Sequence, residues 1–465
     1  MLSRFTPIIF GVLPTFFTAR FLGPENFAEY NLIFVFVTLT TNIFIAPYGT
    51  YLNNNTVSFL EDGSLSANLL YFFKYNFIVY LLLSSVLYFY LDLSLISLNL
   101  LELFIISFGL FFLNTLLQTF LSVLNYLGEN LVFNIFTASF VVLTLAASLF
   151  GIYAFELTVF NWIIGTILVQ FLFLCLVIGY FQRKQYVIFS NFTIKNYDFS
   201  IILKIYKYAS PLLLVNISIW FIYQSYKFYL PNLIGLSETG IFLAAYGLAS
   251  ITASIVERVS LLILWPTFFR KKESSESMKD SEFNEYLKFV LNCLIVIFML
   301  LFLYGDLLIS IVLGEAFSDA YLFVILGFIV ESFRVVLNSL FLVFYLNKKT
   351  KLILYYHLFI AVVFFSLMLL LKESLDVFII IVSLSVVLWI SITHFLYKNK
   401  QYKVTLNLKF IMVACVVAGL FYLCSFMTNV FFDIAKYLSS SLLIVFLIAR
   451  IYNYLAKILI PKSAA

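Results

Sequence analysis

Fourteen apolar stretches, separated by charged or Asn/Gly-rich breaks, leave this chain few ways to fold. They lie near 5–21, 27–47, 69–90, 100–123, 131–153, 157–180, 208–230, 240–266, 286–312, 321–346, 351–371, 375–397, 407–426 and 430–454. A helix needs about 20 apolar residues to cross a bilayer core of about 30 Å. Hydrocarbon offers the backbone no hydrogen bonds, so a spanning segment must satisfy its own amides, and a helix does so locally. The chain is 63% hydrophobic and 11% charged, against about 25% charged in soluble domains. The expectation is an all-α polytopic membrane protein with about fourteen transmembrane helices. The first run is followed by further spans rather than a cleavage site, so no signal peptide is expected.

Basic residues set the orientation. Clusters follow the sixth span (Arg183, Lys184, Lys195, Lys204, Lys207) and the eighth (Arg270, Lys271, Lys272, Lys279, Lys288). Others follow the tenth (Lys348, Lys349, Lys351), the twelfth (Lys398, Lys400, Lys403, Lys409) and the last (Arg450, Lys457, Lys462). With an even count of spans all of these fall on one side, and short basic loops stay in the cytoplasm. Both termini are therefore expected to be cytoplasmic. In the first half the loops near 48–68 and 124–130 have no Lys or Arg, so its topology rests on Arg4 and on the parity of the count.

One sentence of the sequence is written twice. RFLGPENFAEYNLIF (20–34) and NLIGLSETGIFLAAY (232–246) lie 212 residues apart, and their overlay puts Gly23 on Gly235, Ala28 on Gly240 and Tyr30 on Phe242. Each joins the first and second span of a six-span block. Six is even, so the second block starts on the same side as the first, a parallel repeat of the kind found in transporters. The expected organisation is an N-lobe (1–180), a basic cytoplasmic linker (181–207), a C-lobe (208–397), then two further helices with a cytoplasmic tail (398–465).

Polar residues three, four and seven apart share a helix face. Such stripes are Asn216, Trp220, Gln224 and Lys227; Gly327, Glu331, Arg334 and Asn338; and Ser250, Ser254, Glu257 and Arg258. The first block offers Asn114, Gln118, Ser122 and Asn125, then Asn31, Thr38 and Asn42 on its second span. Pro7, Gly11, Pro14 and Thr18 suit the first span to bending, because Pro removes a backbone donor. A Lys or Arg in mid-membrane costs about 2.5–3.5 kcal/mol on insertion scales, so these faces are expected to enclose a central vestibule. Its cations are Arg20, Lys227, Arg258 and Arg334, against Glu257 and Glu331. Plainer readings stay open: Glu331 and Arg334 pair only with each other, Arg20, Lys74 and Lys227 snorkel to the interface, and the amides and hydroxyls bridge helices.

The four cysteines lie in apolar runs without metal or redox spacing, and Cys415 and Cys424, on one helix, would sit about 13 Å apart. His357 and His394 have no nearby catalytic partners. Neither a phosphate-cradling GxxxxGK nor a Rossmann glycine pattern is present. No cofactor or enzymatic activity is expected.

ARFLGPENFAEYNLI, with its echo SYKFYLPNLIGLSETGIFLAAYGLA (225–249), resembles the repeated motif of polysaccharide exporters in the multidrug/oligosaccharidyl-lipid/polysaccharide superfamily, above all Wzx-type O-antigen or capsule-unit flippases. That family often has Asp-Arg where this chain has Tyr226-Lys227. The resemblance implies a bacterial inner-membrane flippase that moves an undecaprenyl-diphosphate-linked oligosaccharide from the inner to the outer leaflet. Polymerase and chain-length proteins would be its partners, and no nucleic acid is involved. It further implies that the last two helices border a groove for the lipid tail. On this reading Arg20, Lys227, Arg258 and Arg334 bind the diphosphate, since Arg grips it with paired hydrogen bonds. Asn216, Gln224, Asn338 and Gln118 meet sugar hydroxyls, Trp220 a sugar face, and Glu257 and Glu331 are the candidates for ion coupling. Two rivals stand beside it. An ion-coupled small-molecule antiporter of the same superfamily would want a buried acid in the first lobe, where Glu29 and Glu102 are expected at helix ends. A membrane-embedded glycosyl- or acyltransferase would want a sizeable outer loop or a His/Asp site.

Overall fold

The computed structural model describes residues 2–90, 99–186, 199–273, 280–346, 349–371 and 376–399. The expected spans 407–426 and 430–454, the cytoplasmic tail and residues 187–198 of the expected linker lie outside the described residues. The described chain is helical: α1 (Leu2–Thr40), α2 (Ala46–Glu61), α3 (Leu65–Tyr90), α4 (Leu100–Ser107), α5 (Asn114–Tyr126), α6 (Asn130–Ala154) and α7 (Val159–Arg183). Then come α8 (Phe199–Tyr223), α9 (Leu230–Ile234), α10 (Leu236–Glu273), α11 (Asp280–Val312), α12 (Tyr321–Leu346), α13 (Thr350–Leu370) and α14 (Val377–Lys398).

Ten helical segments among the described residues are long and apolar enough to cross a membrane. They do not map one to one onto the expected spans. The first two expected spans belong to one helical run, broken at Gly23, that continues to Glu61. Residues 48–61, expected as a loop, are helical. The misleading signal is the Asn/Gly-rich stretch from Gly49 to Asn55, which the helix runs straight through. A π-helical turn, Thr41–Ile45, joins α1 to α2, and a second, Phe108–Leu113, joins α4 to α5.

The chain forms two compact units. One comprises Met1–Ala244 with Lys351–Val377, the other Ala245–Thr350 with the residues from Phe378 onward.

In the first unit α3 braces both π-helical turns with consecutive residues. The Tyr75 hydroxyl donates to the Phe44 carbonyl at 2.7 Å, and the Asn76 amide donates to the Phe112 carbonyl at 3.1 Å and to Thr115 Oγ1 at 2.6 Å. A π turn leaves backbone carbonyls without their usual i+4 donor, and a buried orphan costs about 1–3 kcal/mol. Elsewhere in this unit α6 and α7 approach closely because Gly165 has no side chain; a Cβ there would strike the Ala147–Ser148 peptide. Beyond the spans, Glu129 accepts a hydrogen bond from the Tyr186 hydroxyl at 2.8 Å and pairs with Lys184 at 3.4 Å. The Tyr186 bond above all holds the Glu129 carboxyl below its ordinary pKa.

The repeated sentence is repeated in the backbone. Gly23 (φ 74°, ψ 172°) and Gly235 (φ 83°, ψ 166°) share one conformation that only glycine adopts without strain. Each redirects the chain from one helix into the next. The two copies also touch: a Cβ on Gly240 would overlap the Pro24 carbonyl oxygen. Backbone cannot move aside as a flexible side chain can. Gly240→Val is therefore expected to reduce folded protein sharply, by more than the about 1–3 kcal/mol of ordinary overpacking. Thermal unfolding in detergent checks this, and a variant melting with the wild type would show that the two copies do not need this contact.

A third glycine, Gly314 (φ 96°, ψ 172°), shares this conformation, ahead of the 3₁₀ turn Glu315–Ala320 that leads to α12. Its signal is a spacing: an aromatic residue stands seven positions after each glycine, Tyr30 after Gly23, Phe242 after Gly235 and Tyr321 after Gly314.

In the second unit Gly327 on α12 lies against Tyr246 and Ala249 of α10, and an added Cβ would sit 3.2 Å from both side chains. Tyr286 on α11 donates to Ser339 Oγ at 3.3 Å. This close approach of α10 and α12 builds the site described next.

Candidate functional site

One turn beyond Gly327, four expected site residues meet in the second unit. Arg334 Nε donates to Glu331 at 2.6 Å, Nη1 to Glu257 at 3.0 Å and Nη2 to Ser254 Oγ at 2.9 Å. The Asn338 amide donates to the other Glu257 oxygen at 2.9 Å. Glu331 is 2% exposed, so only a strong partner keeps its charge tolerable in hydrocarbon. Two nitrogens of one planar guanidinium, Nη1 and Nη2, thus tie α12 to α10, while Nε holds Glu331 on α12 itself.

The network alters four expectations. Arg334, expected to grip a diphosphate, already donates to two carboxylates and a hydroxyl. Glu331 pairs with Arg334, but the pair is not isolated, because Glu257 joins it from α10. Two carboxylates and one guanidinium leave a formal charge of −1, so this part of the polar face is not the mainly cationic surface expected from the residue list. Asn338, expected to meet sugar, donates to Glu257 instead.

Arg258 follows Glu257 but points elsewhere, since consecutive helix residues diverge by about 100°. It is exposed, and it lies within the span Leu236–Leu261. One turn from the end of that span, its guanidinium is within reach of the polar boundary of the membrane or of an anion there.

The remaining expected residues lie in the first unit. Asn216 is half-buried on α8, and Gln224 and Lys227 are half-buried where α8 gives way to a 3₁₀ turn, Ser225–Phe228. Trp220, expected as a sugar platform, is 5% exposed; its indole donates to the Val35 carbonyl at 3.1 Å and to Thr38 Oγ1 at 3.3 Å on α1. For Trp220 and Thr38 the helix-bridging reading is the one observed. Arg20 is exposed one turn before Gly23, and Gln118 is exposed on the otherwise buried α5. Glu29, expected at a helix end, lies inside α1 and is 5% exposed. The helix resumes directly after Gly23, which carries Glu29 into the core. The first unit therefore does hold a buried acid.

Among the described residues no group of three His, Cys, Asp or Glu side chains is placed to hold a metal ion.

The family described as "Polysaccharide biosynthesis protein" matches residues 17–322. Among solved structures, the chain superposes on the lipid II flippase MurJ in an inward closed conformation with a TM-score of 0.71, at 15% identity over 97% of this chain and 98% of that one. An inward-facing multidrug resistance MATE transporter of the MOP superfamily gives 0.59, at 12% identity over 84% and 94%. The MATE multidrug transporter DinF-BH gives 0.56, at 15% identity over 86% and 94%. No curated protein matches.

Proposed function

This chain belongs to the polysaccharide biosynthesis protein family and shares the fold of the MurJ and MATE transporters, and from that premise we propose that it is a flippase for a lipid-linked oligosaccharide. Its substrate is an undecaprenyl-diphosphate-linked repeat unit of O-antigen or capsule type, carried from the inner to the outer leaflet of the bacterial cytoplasmic membrane. The observation that carries this reading is the family match, which spans the first helices and runs through Gly314. Both termini are cytoplasmic, and the basic linker 181–207 joins the two lobes. Arg20, Lys227 and Arg258 receive the diphosphate, while Arg334 holds α10 to α12 so that Arg258 keeps its place. Asn216, Gln224 and Gln118 face the sugar. Polymerase and chain-length proteins act on the product.

The driving force follows from the substrate. A diphosphate carries roughly two negative charges, and each is worth about 2.3 kcal/mol per 100 mV of potential. Export from a negative interior is thus downhill by about 4–5 kcal/mol per 100 mV, without ATP. Glu29, buried in the first unit, and the Glu257–Glu331 pair in the second favour a second reading, antiport coupled to a cation. Vesicles holding the protein and a lipid-linked oligosaccharide decide between them, with potential and ion gradients clamped separately. Flipping should quicken with an inside-negative potential. Flipping that ignores potential but follows a proton or sodium gradient would establish antiport, and a rate no higher than in protein-free vesicles would end both readings.

A further inference from the structure

Between the end of α8 and α13, inside the first unit, lies a cavity of about 330 Å³ that none of the residues discussed so far explains. Its origin is the break in the helix at Gln224. The chain passes through the 3₁₀ turn Ser225–Phe228 and the short α9, which has Pro231 in its first turn, before Gly235 starts α10. Tyr226 anchors this detour, 1% exposed, with its ring against Phe242 and Phe364.

The lining has two characters. Ser225, Tyr229 and Asn232 bring hydroxyl and amide groups from the detour, and Phe365, Met368 and Leu369 form the facing apolar wall on α13. Tyr229 is 54% and Leu369 60% exposed, so the cavity opens onto an apolar surface that must face hydrocarbon. Its level is equally telling. Ser225–Leu233 directly follows the apolar helix Leu213–Tyr223 and precedes the span Leu236–Leu261, and Phe365–Leu369 ends the span Lys351–Leu370. The cavity therefore sits where spans end, at the boundary between headgroups and chains, on the face that carries the Gly235 turn.

A ligand that enters from hydrocarbon and ends at hydrogen-bonding groups is a lipid. The volume is at the low end of the range of about 300–1,000 Å³ for ligand pockets, which suits a stretch of one chain rather than a lipid with two. Lys227 lies two residues after Ser225 in the same 3₁₀ turn, which sets a cation in the segment that forms the polar rim. We propose that this cavity holds the headgroup-proximal part of a single polyisoprenyl chain, with its phosphate at the Ser225–Asn232 rim. The identity of that chain as the tail of the transported lipid rests on the flippase reading above. The tail groove expected beside the last two helices lies outside the described residues.

The test is photolabelling of the full-length protein in phosphatidylethanolamine/phosphatidylglycerol vesicles with a diazirine-bearing polyprenyl phosphate. Label should concentrate on the peptides 225–233 and 365–369, and unlabelled polyprenyl phosphate should displace it where extra phospholipid does not. Leu369→Trp, which fills the space from an exposed position, should cut this label by about tenfold, equivalent to about 1.4 kcal/mol of binding. Ser225→Ala, which keeps the space, should lose less. Label spread along the whole apolar face of α13, or displaced equally by phospholipid, would overturn the site. A flipping assay on the same vesicles separates the two proposals. Flipping without label at the cavity removes the site and leaves the flippase, and label at the cavity without flipping does the reverse.

Discussion

Arg334→Met should destabilise the protein by about 3–5 kcal/mol, the cost of breaking a buried ion pair by removing one partner. The loss is large because two carboxylates depend on this one side chain. Glu331 on α12 is almost fully enclosed, and Glu257 on α10 keeps only the Asn338 amide once the guanidinium is gone. Repulsion between the two acids would then push apart the helices that Gly327 allows to approach. The triple variant Glu257→Gln, Glu331→Gln, Arg334→Met removes every charge together and should recover most of the loss, since uncharged replacements of similar volume are often neutral. Thermal unfolding of purified protein in detergent reads both variants. An Arg334→Met melting point equal to the wild type would show that the network does not hold α10 to α12. Transport by the triple variant carries separate information. Full export would rule out ion coupling through Glu257 and Glu331, and lost export in a stable protein would assign these charges to the transport cycle.

Arg258→Ala should leave abundance and melting point unchanged yet reduce export on the order of 10–100-fold. That is the loss of charged hydrogen bonds of about 1.5–3 kcal/mol. Both oxygens of Glu257 are engaged by α12, so the adjacent arginine is not held by that carboxylate. It is exposed one turn before the end of the span Leu236–Leu261, at the level where a guanidinium reaches phosphate groups. Arg258→Lys should keep part of the activity, because charge remains while the planar fork is lost. Surface polymer in cells lacking the native protein, with membrane abundance measured in parallel, is the readout. Full export by Arg258→Ala would remove this residue from the diphosphate site.

The sequence by itself determined that the chain is a bundle of membrane helices, because hydropathy and length belong to each segment separately. It also set Gly23 over Gly235, and the structure gives both the same turn, because a positive φ followed by extended ψ is a local demand that only glycine meets at no cost. Where local signals were ambiguous the sequence misled: Gly49 and Asn53–Asn55 read as a break but lie within α2. Gly314 was legible in principle through the aromatic seven residues later, a spacing that emerges only when three copies are laid together. The tertiary structure alone decided which polar residues act as one. Glu331 and Arg334 are three apart and could be paired on paper, but Arg334 also reaches Glu257 and Ser254 across 77 and 80 residues, and Asn338 reaches Glu257 across 81. It likewise turned Trp220 from a surface for sugar into a bolt between α8 and α1, and buried Glu29. Charges and indoles carry no record of their partners, because partners depend on which helix faces meet, and that is set by the small residues that let backbones come close.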